Sequence, residues 1–125
     1  MAYVDGFVIA VPKDKLDAYK AMAKECMPIW QEFGAEDYVE CIGDDTPYGE
    51  VTSFPRAVQA KDNEVVVFSW ITYKDRAARD AANKKIMEDP RLKKMMENPP
   101  FDGKRMIFGG FEVLFDTSGE LSSAR

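Results

Sequence analysis

Apolar and polar positions alternate most regularly over Glu64–Tyr73, E-V-V-V-F-S-W-I-T-Y, which predicts a strand. Val66, Phe68 and Trp70 fall on one face, and Val65, Val67 and Ile71, with Ser69 between, on the other. A strand with one wet face alternates apolar and polar; this one is apolar on both and needs cover on both. Tyr3–Val11 reads the same way. Tyr3, Asp5, Phe7, Ile9 and Val11 share one face, and Val4, Gly6, Val8 and Ala10 the other. That second face is built of small residues, which suits a helix lying close against it. Glu36–Ile42 alternates Tyr38, Glu40 and Ile42 with Asp37, Val39 and Cys41; its greater polarity predicts an edge strand. Arg105–Phe115 is the last strand, and Gly109-Gly110 inside it predicts a bulge or a close backbone approach.

Between the first two strands the period changes to that of a helix. Leu16, Tyr19, Ala23, Cys26, Met27, Trp30 and Phe33 form an apolar stripe, interrupted by Pro28 and stopped by Gly34. A second helix runs from Asp75 to Glu88 with the small stripe Ala78, Ala81, Ala82 and Ile86. Asp89-Pro90 stops it, and Arg91–Glu97 adds one or two turns. Gly43–Pro55, with its Pro, Gly and paired Asp residues, reads as an irregular arm, and Arg56–Ala60 as a short strand.

The order strand, helix, strand, arm, strand, helix, strand predicts an α+β, ferredoxin-like βαββαβ domain. Its four-stranded antiparallel sheet should carry two helices on one face. Residues 1–116 form this single domain, and residues 117–125 a polar, flexible tail. The second sheet face is apolar in three strands, and a monomer would expose it as a large patch. Two sheets facing each other would bury it, so a homodimer through the sheet face is expected, as in a dimeric α/β barrel.

Composition narrows the chemistry. There is no histidine, which removes Ser-His-Asp and Cys-His catalysis and every His-ligated metal or haem site. The two cysteines, Cys26 and Cys41, are too far apart in sequence for a C-x-x-C motif. Cys41 is either a nucleophile or a small apolar residue, and Cys26 belongs to the helix stripe. No metal or cofactor is implied. The formal charge of -5 argues against nucleic acid, and no run of residues is apolar enough to span a membrane. Few cysteines and no leader-like start point to the cytoplasm.

Several residues invite a functional reading beside a structural one. Phe68 and Trp70, with Trp30 from the first helix, either wall an aromatic pocket between sheet and helices or simply pack. Arg56 either clamps a ligand carboxylate or pairs with Asp44, Asp45 or Glu50 and pins the arm. Asp44-Asp45 suggests a turn more than a metal site. Asp5, in an apolar strand, is either buried with a partner and a raised pKa or sits in water at the strand end.

Y-V-D-G-F at 3–7, V-T-S-F-P-R at 51–56, V-F-S-W-I at 67–71, D-P-R-L at 89–92 and P-F-D-G-K-R-M-I-F-G-G-F at 100–111 resemble the YbaA-like bacterial family of the dimeric α/β-barrel superfamily. The resemblance spans Tyr3 to about Phe115. It implies a ferredoxin-like subunit that pairs through its sheets, and no defined activity, since superfamily relatives range from cofactor-independent monooxygenases to ligand-sensing domains. Three readings follow. The first is a dimer binding a small apolar or aromatic molecule. The second is a monooxygenase-like enzyme in which Tyr38, Trp70 and Arg56 orient the substrate and stabilise an anion. The third is a non-catalytic interaction dimer.

Overall fold

The computed structural model describes residues 2–120. Strand β1 (Tyr3–Pro12) leads through a short 3-10 turn into helix α1 (Leu16–Glu32) and strand β2 (Asp37–Ile42). The arm holds one helical turn, α2 (Phe54–Ala57), before strand β3 (Glu64–Tyr73). Helices α3 (Arg76–Glu88) and α4 (Pro90–Met95) precede strand β4 (Ile107–Glu112). A small hairpin of β5 (Phe115–Asp116) and β6 (Gly119–Glu120) follows, and residues 121–125 of the expected tail lie outside the described residues. The main sheet has four strands in the order β2-β3-β1-β4, every neighbouring pair antiparallel. This is the expected ferredoxin-like arrangement: β1 and β2 are the outer strands of a split βαβ unit, with β3 inserted between them.

The two apolar strands are the central ones. They pair along their whole length, from Tyr3 opposite Tyr73 to Pro12 opposite Glu64. The helices cover the face that carries Phe7, Ile9 and Val11 from β1 and Val67, Ile71 and Tyr73 from β3. Helix α1 buries Tyr19, Ala23, Cys26 and Ile29 there. Ile29 is buried because Leu92 of α4 packs on it beside Cys26, whereas Met27, expected in the stripe, is exposed. Gly34, at φ 115°, takes the left-handed conformation that ends α1, and its N–H donates to the Gln31 carbonyl. Asp75 caps α3 by accepting from the Ala78 N–H, and Asp89 caps α4 by accepting from the Arg91 N–H. The small stripe of α3 brings Ala82 fully into the core, while Ala81 is exposed.

The small-residue face of β1 is not beneath a helix, contrary to expectation. The arm crosses it instead, burying Val58 completely against Val8, Ala10 and Val66. The strand expected over Arg56–Ala60 is absent. Ser53 accepts the Arg56 N–H and Pro55 stands in the first turn, so the chain makes the helical turn α2 there. Beyond the arm this face stays open. Phe68, Ile107 and Phe111 are 42%, 45% and 63% exposed, with the ring of Phe111 lying over Gly6 and Gly109. The paired glycines form no bulge: β4 keeps an unbroken register with β1 from Tyr3–Glu112 to Val8–Ile107. The alternative reading, a close approach, is the one observed.

One ion pair ties the arm, β3 and the approach to β4 together. Arg105 donates to both Glu64 carboxylate oxygens at 2.7 Å, and also to Asp102 and the Gln59 carbonyl. The Lys61 N–H donates to Glu64 as well. Chiefly through Arg105, Glu64 is held down to about 2 from an ordinary value of 4.5. The folded protein therefore binds this proton less tightly than the unfolded chain. The stabilisation is complete above about pH 4.5 and is lost as the pH falls toward 2. Glu64→Gln should cost about 2–3 kcal/mol at pH 7. Urea unfolding at a series of pH values should show that cost shrinking below pH 4.5. A cost independent of pH would contradict the ionic origin.

Candidate functional site

Helix α1 packs on the sheet through Tyr19 and Ala23 but leaves edge strand β2 partly uncovered, and a cleft of about 530 Å³ opens between them. Leu16, Ala23 and Met27 of α1 and Ile42 and Val67 of the sheet give it apolar walls. Exposed Asp17, Lys20 and Lys24 stand at its rim, and the partly buried acidic group is Glu40, which β2 directs to the helix side opposite Ser69. The Tyr19 hydroxyl donates to one Glu40 oxygen at 2.8 Å and the Tyr38 hydroxyl to the other at 3.0 Å. Both rings are braced, Tyr19 edge-on to Phe101 and Tyr38 edge-on to Trp30. Burial raises the Glu40 pKa, and the hydroxyls of Tyr19, Tyr38 and Ser69 offset part of that rise by favouring the charged form. Both phenols are themselves pushed up, first by burial and then by the charge of Glu40. The phenols therefore stay neutral and donate, and Glu40 is the acceptor.

A second polar cluster lies on the same sheet face toward β4. Asp5 is only 7% exposed, and Arg79 of α3 stands 3.6 Å from its carboxylate. The same guanidinium donates to the Tyr3 hydroxyl at 2.9 Å and lies over that ring. Burial raises the Asp5 pKa, and the Arg79 charge opposes the rise. The buried reading of Asp5 therefore holds. The hydroxyl of Tyr73 is buried beside Trp30, and burial pushes it up to about 12. Gly110 is what makes room: a Cβ there would collide with the Tyr3 ring and with the Arg79 guanidinium.

Residues 2–103 match the family described as "Protein of unknown function (DUF1428)". The chain belongs to this family. It is 59% identical over 116 residues to "Uncharacterized protein YbaA" of Escherichia coli (strain K12) and of Shigella flexneri, covering 93% of this chain and 99% of each relative. Among solved structures, Rv0793 from Mycobacterium tuberculosis superposes with a TM-score of 0.54 at 14% identity, over 94% of this chain and 99% of that one. A dimeric ferredoxin-like protein from an uncultured marine organism superposes with a TM-score of 0.50 at 12% identity, over 88% and 91%. At such identities these two structures show the fold alone. In this DUF1428 member the fold, rather than any motif, is what assembles the polar clusters.

The structure separates the residues singled out from the sequence. Trp30 and Tyr38 meet on the helix side of the sheet, and Tyr38 enters the cleft. Phe68 and Trp70 lie across the sheet, on the open face, where Phe68 packs between Trp70 and Phe54. They do not share a pocket with Trp30, because even-numbered positions of β3 face away from the helices. Arg56 donates to the carbonyls of Tyr48 and Gly49 and stacks on the Tyr48 ring at 3.8 Å. It pins the arm, as one reading held, but through carbonyls and an aromatic ring rather than Asp44, Asp45 or Glu50. Cys26 is buried and its thiol is pushed up to about 11 by burial, then by Glu40 and Glu25, which suits packing and not nucleophilic attack. Glu40 and Tyr19 were not singled out, although a lone acid on the apolar side of an edge strand was a usable signal. Among the described residues no group of three or more metal-ligating side chains comes together. A broader, more open groove of about 780 Å³ lies between α1 and α4, but its Arg91 is already paired with Glu32 and Asp89.

Tyr19→Phe removes a donor from the charged form of Glu40 and should raise the Glu40 pKa further, which carbon NMR of its side-chain carboxyl reads directly. An unchanged or lowered value would show that the phenol does not hold the carboxylate. Gly110→Ala should destabilise the fold by about 1–2 kcal/mol, since the added methyl must displace Tyr3 or Arg79. Thermal unfolding measures it, and an unchanged midpoint would mean that Arg79 simply swings away.

Proposed function

We propose that this protein is a homodimer that binds a small, largely apolar molecule in the cleft between α1 and β2. The observation that carries the binding reading is the setting of Glu40: a carboxylate with two braced phenol donors, inside an apolar cleft of ordinary ligand-site size. Small-molecule sites have this make-up, apolar walls with a few convergent polar groups. Cys41 also lines the cleft, but the chain has no histidine to serve as its base, and no group of three or more metal-ligating side chains comes together among the described residues, so binding is favoured over catalysis.

The dimer reading rests on the open sheet face. Phe68, Ile107 and Phe111 on the sheet, with Phe54 on the arm, leave a run of large apolar side chains uncovered. A second copy of the same face is the self-complementary cover. The dimeric state named for the marine ferredoxin-like protein agrees with this reading. The two unbridged cysteines and the absence of any described helix long and apolar enough to cross a membrane fit a cytoplasmic setting.

Sedimentation should give twice the chain mass for the native protein, and Phe111→Asp should give a folded monomer by the same measurement. A native monomer would remove the dimer reading. For the cleft, an NMR fragment screen should shift backbone signals of 38–42 and of the first half of α1. Fragments that bind only elsewhere, or not at all, would remove the ligand reading.

A further inference from the structure

Glu40 has an electrostatic problem that the chain itself leaves unsolved. A carboxylate taken partly out of water needs compensation, from hydrogen bonds, from a cation, or from both. Its hydrogen-bond partners are neutral hydroxyls. No Lys or Arg forms an ion pair with it among the described residues, although Lys20 and Lys24 line the same cleft. Those lysines are exposed at the rim of the cleft, where their charge is in water. Three carboxylates more deeply withdrawn from solvent each have an arginine: Asp5 has Arg79, Glu64 has Arg105 and Asp89 has Arg91.

The inventory of free hydrogen-bonding capacity points the same way. With both phenol protons given to Glu40, what remains is acceptor capacity: lone pairs on the carboxylate and on the two hydroxyls. The inner part of the cleft, inside the exposed Asp17, Lys20 and Lys24 of its rim, therefore offers acceptors, the Glu40 charge and two aromatic rings, all of which favour a cationic donor. An anionic ligand would meet Glu40 without a buried donor to receive it. The net charge of -5 adds a long-range attraction for cations.

We propose that the ligand of this cleft is an organic cation, an apolar molecule ending in a primary or secondary ammonium that donates to Glu40 while its body lies along Leu16, Ala23, Met27 and Val67. This rests on the binding reading given above and narrows it to a chemical class.

The test uses the intact chain and three probes of one shape: 2-phenylethylamine, 2-phenylethanol and 3-phenylpropanoate, each titrated at pH 7 with binding followed by NMR at residues 38–42. The amine should bind at least about tenfold more tightly than the alcohol, as expected for a charge-assisted contact, and the carboxylate should be weakest. Glu40→Gln should abolish the amine's advantage over the alcohol. If the alcohol or the carboxylate matches the amine at the cleft, the cleft binds ligands but the cation assignment is wrong. If no probe shifts the cleft residues, both the assignment and the binding reading fail. The wild-type ratio of amine to alcohol decides the class by itself, so the result does not depend on Glu40→Gln folding.

Discussion

The ladder between β1 and β3 is the constraint on which the rest of the molecule depends. Two ten-residue strands pair along their full length, and both carry apolar side chains on both faces, small ones on the second face of β1. A sheet core of that kind is stable only if each face is taken out of water. Helices α1 and α3 do this on one side through Tyr19, Ala23 and Ala82. On the other side, among the described residues, the arm provides the cover, and Val58 covers the end of the sheet around Val8, Ala10 and Val66. The open remainder is a direct consequence of the strand composition.

The cleft follows from the same architecture. Helix α1 is anchored over the central strands, so its grip weakens toward the sheet edge, where β2 lies. Met27, turned away from the core, and Ile42, at the end of β2, then face a gap instead of each other. An edge strand tolerates polar residues on its inner face because water can reach them, and this is what lets Glu40 stand beside Tyr19 and Tyr38.

The period of the apolar pattern made the strands, both long helices and their order legible, since a doubled apolar alternation and a 3.6-residue stripe have few other readings. The choice of covered face was not legible. Both faces of β1 and β3 are apolar, so parity could group Phe68 with Trp70 but could not say that Trp30 lies across the sheet from them. Ile29 was missed for a tertiary reason, the docking of Leu92 from α4, which no local pattern announces. The turn at Phe54–Ala57 did carry a local signal, Ser53 two residues before Pro55, and the apolar content around it suggested a strand instead. The cleft was the least legible feature, because it depends on where α1 stops touching β2, a distance and not a pattern.

Asp5 and Glu40 show one physical problem with two outcomes. Each is a carboxylate on the helix-covered face of the sheet, one on a central strand and one on an edge. At the centre little water reaches the charge, and the chain supplies the cation itself. Arg79 does so, and Gly110 keeps the space it needs. At the edge the carboxylate remains half-buried, and neutral phenols with some solvent suffice to keep it there. The difference bears on function. A charge already matched from within, like Asp5, has little left to offer a ligand. A charge held in place by neutral donors, like Glu40, keeps most of its field, and rings braced by Phe101 and Trp30 keep that field pointed at one place.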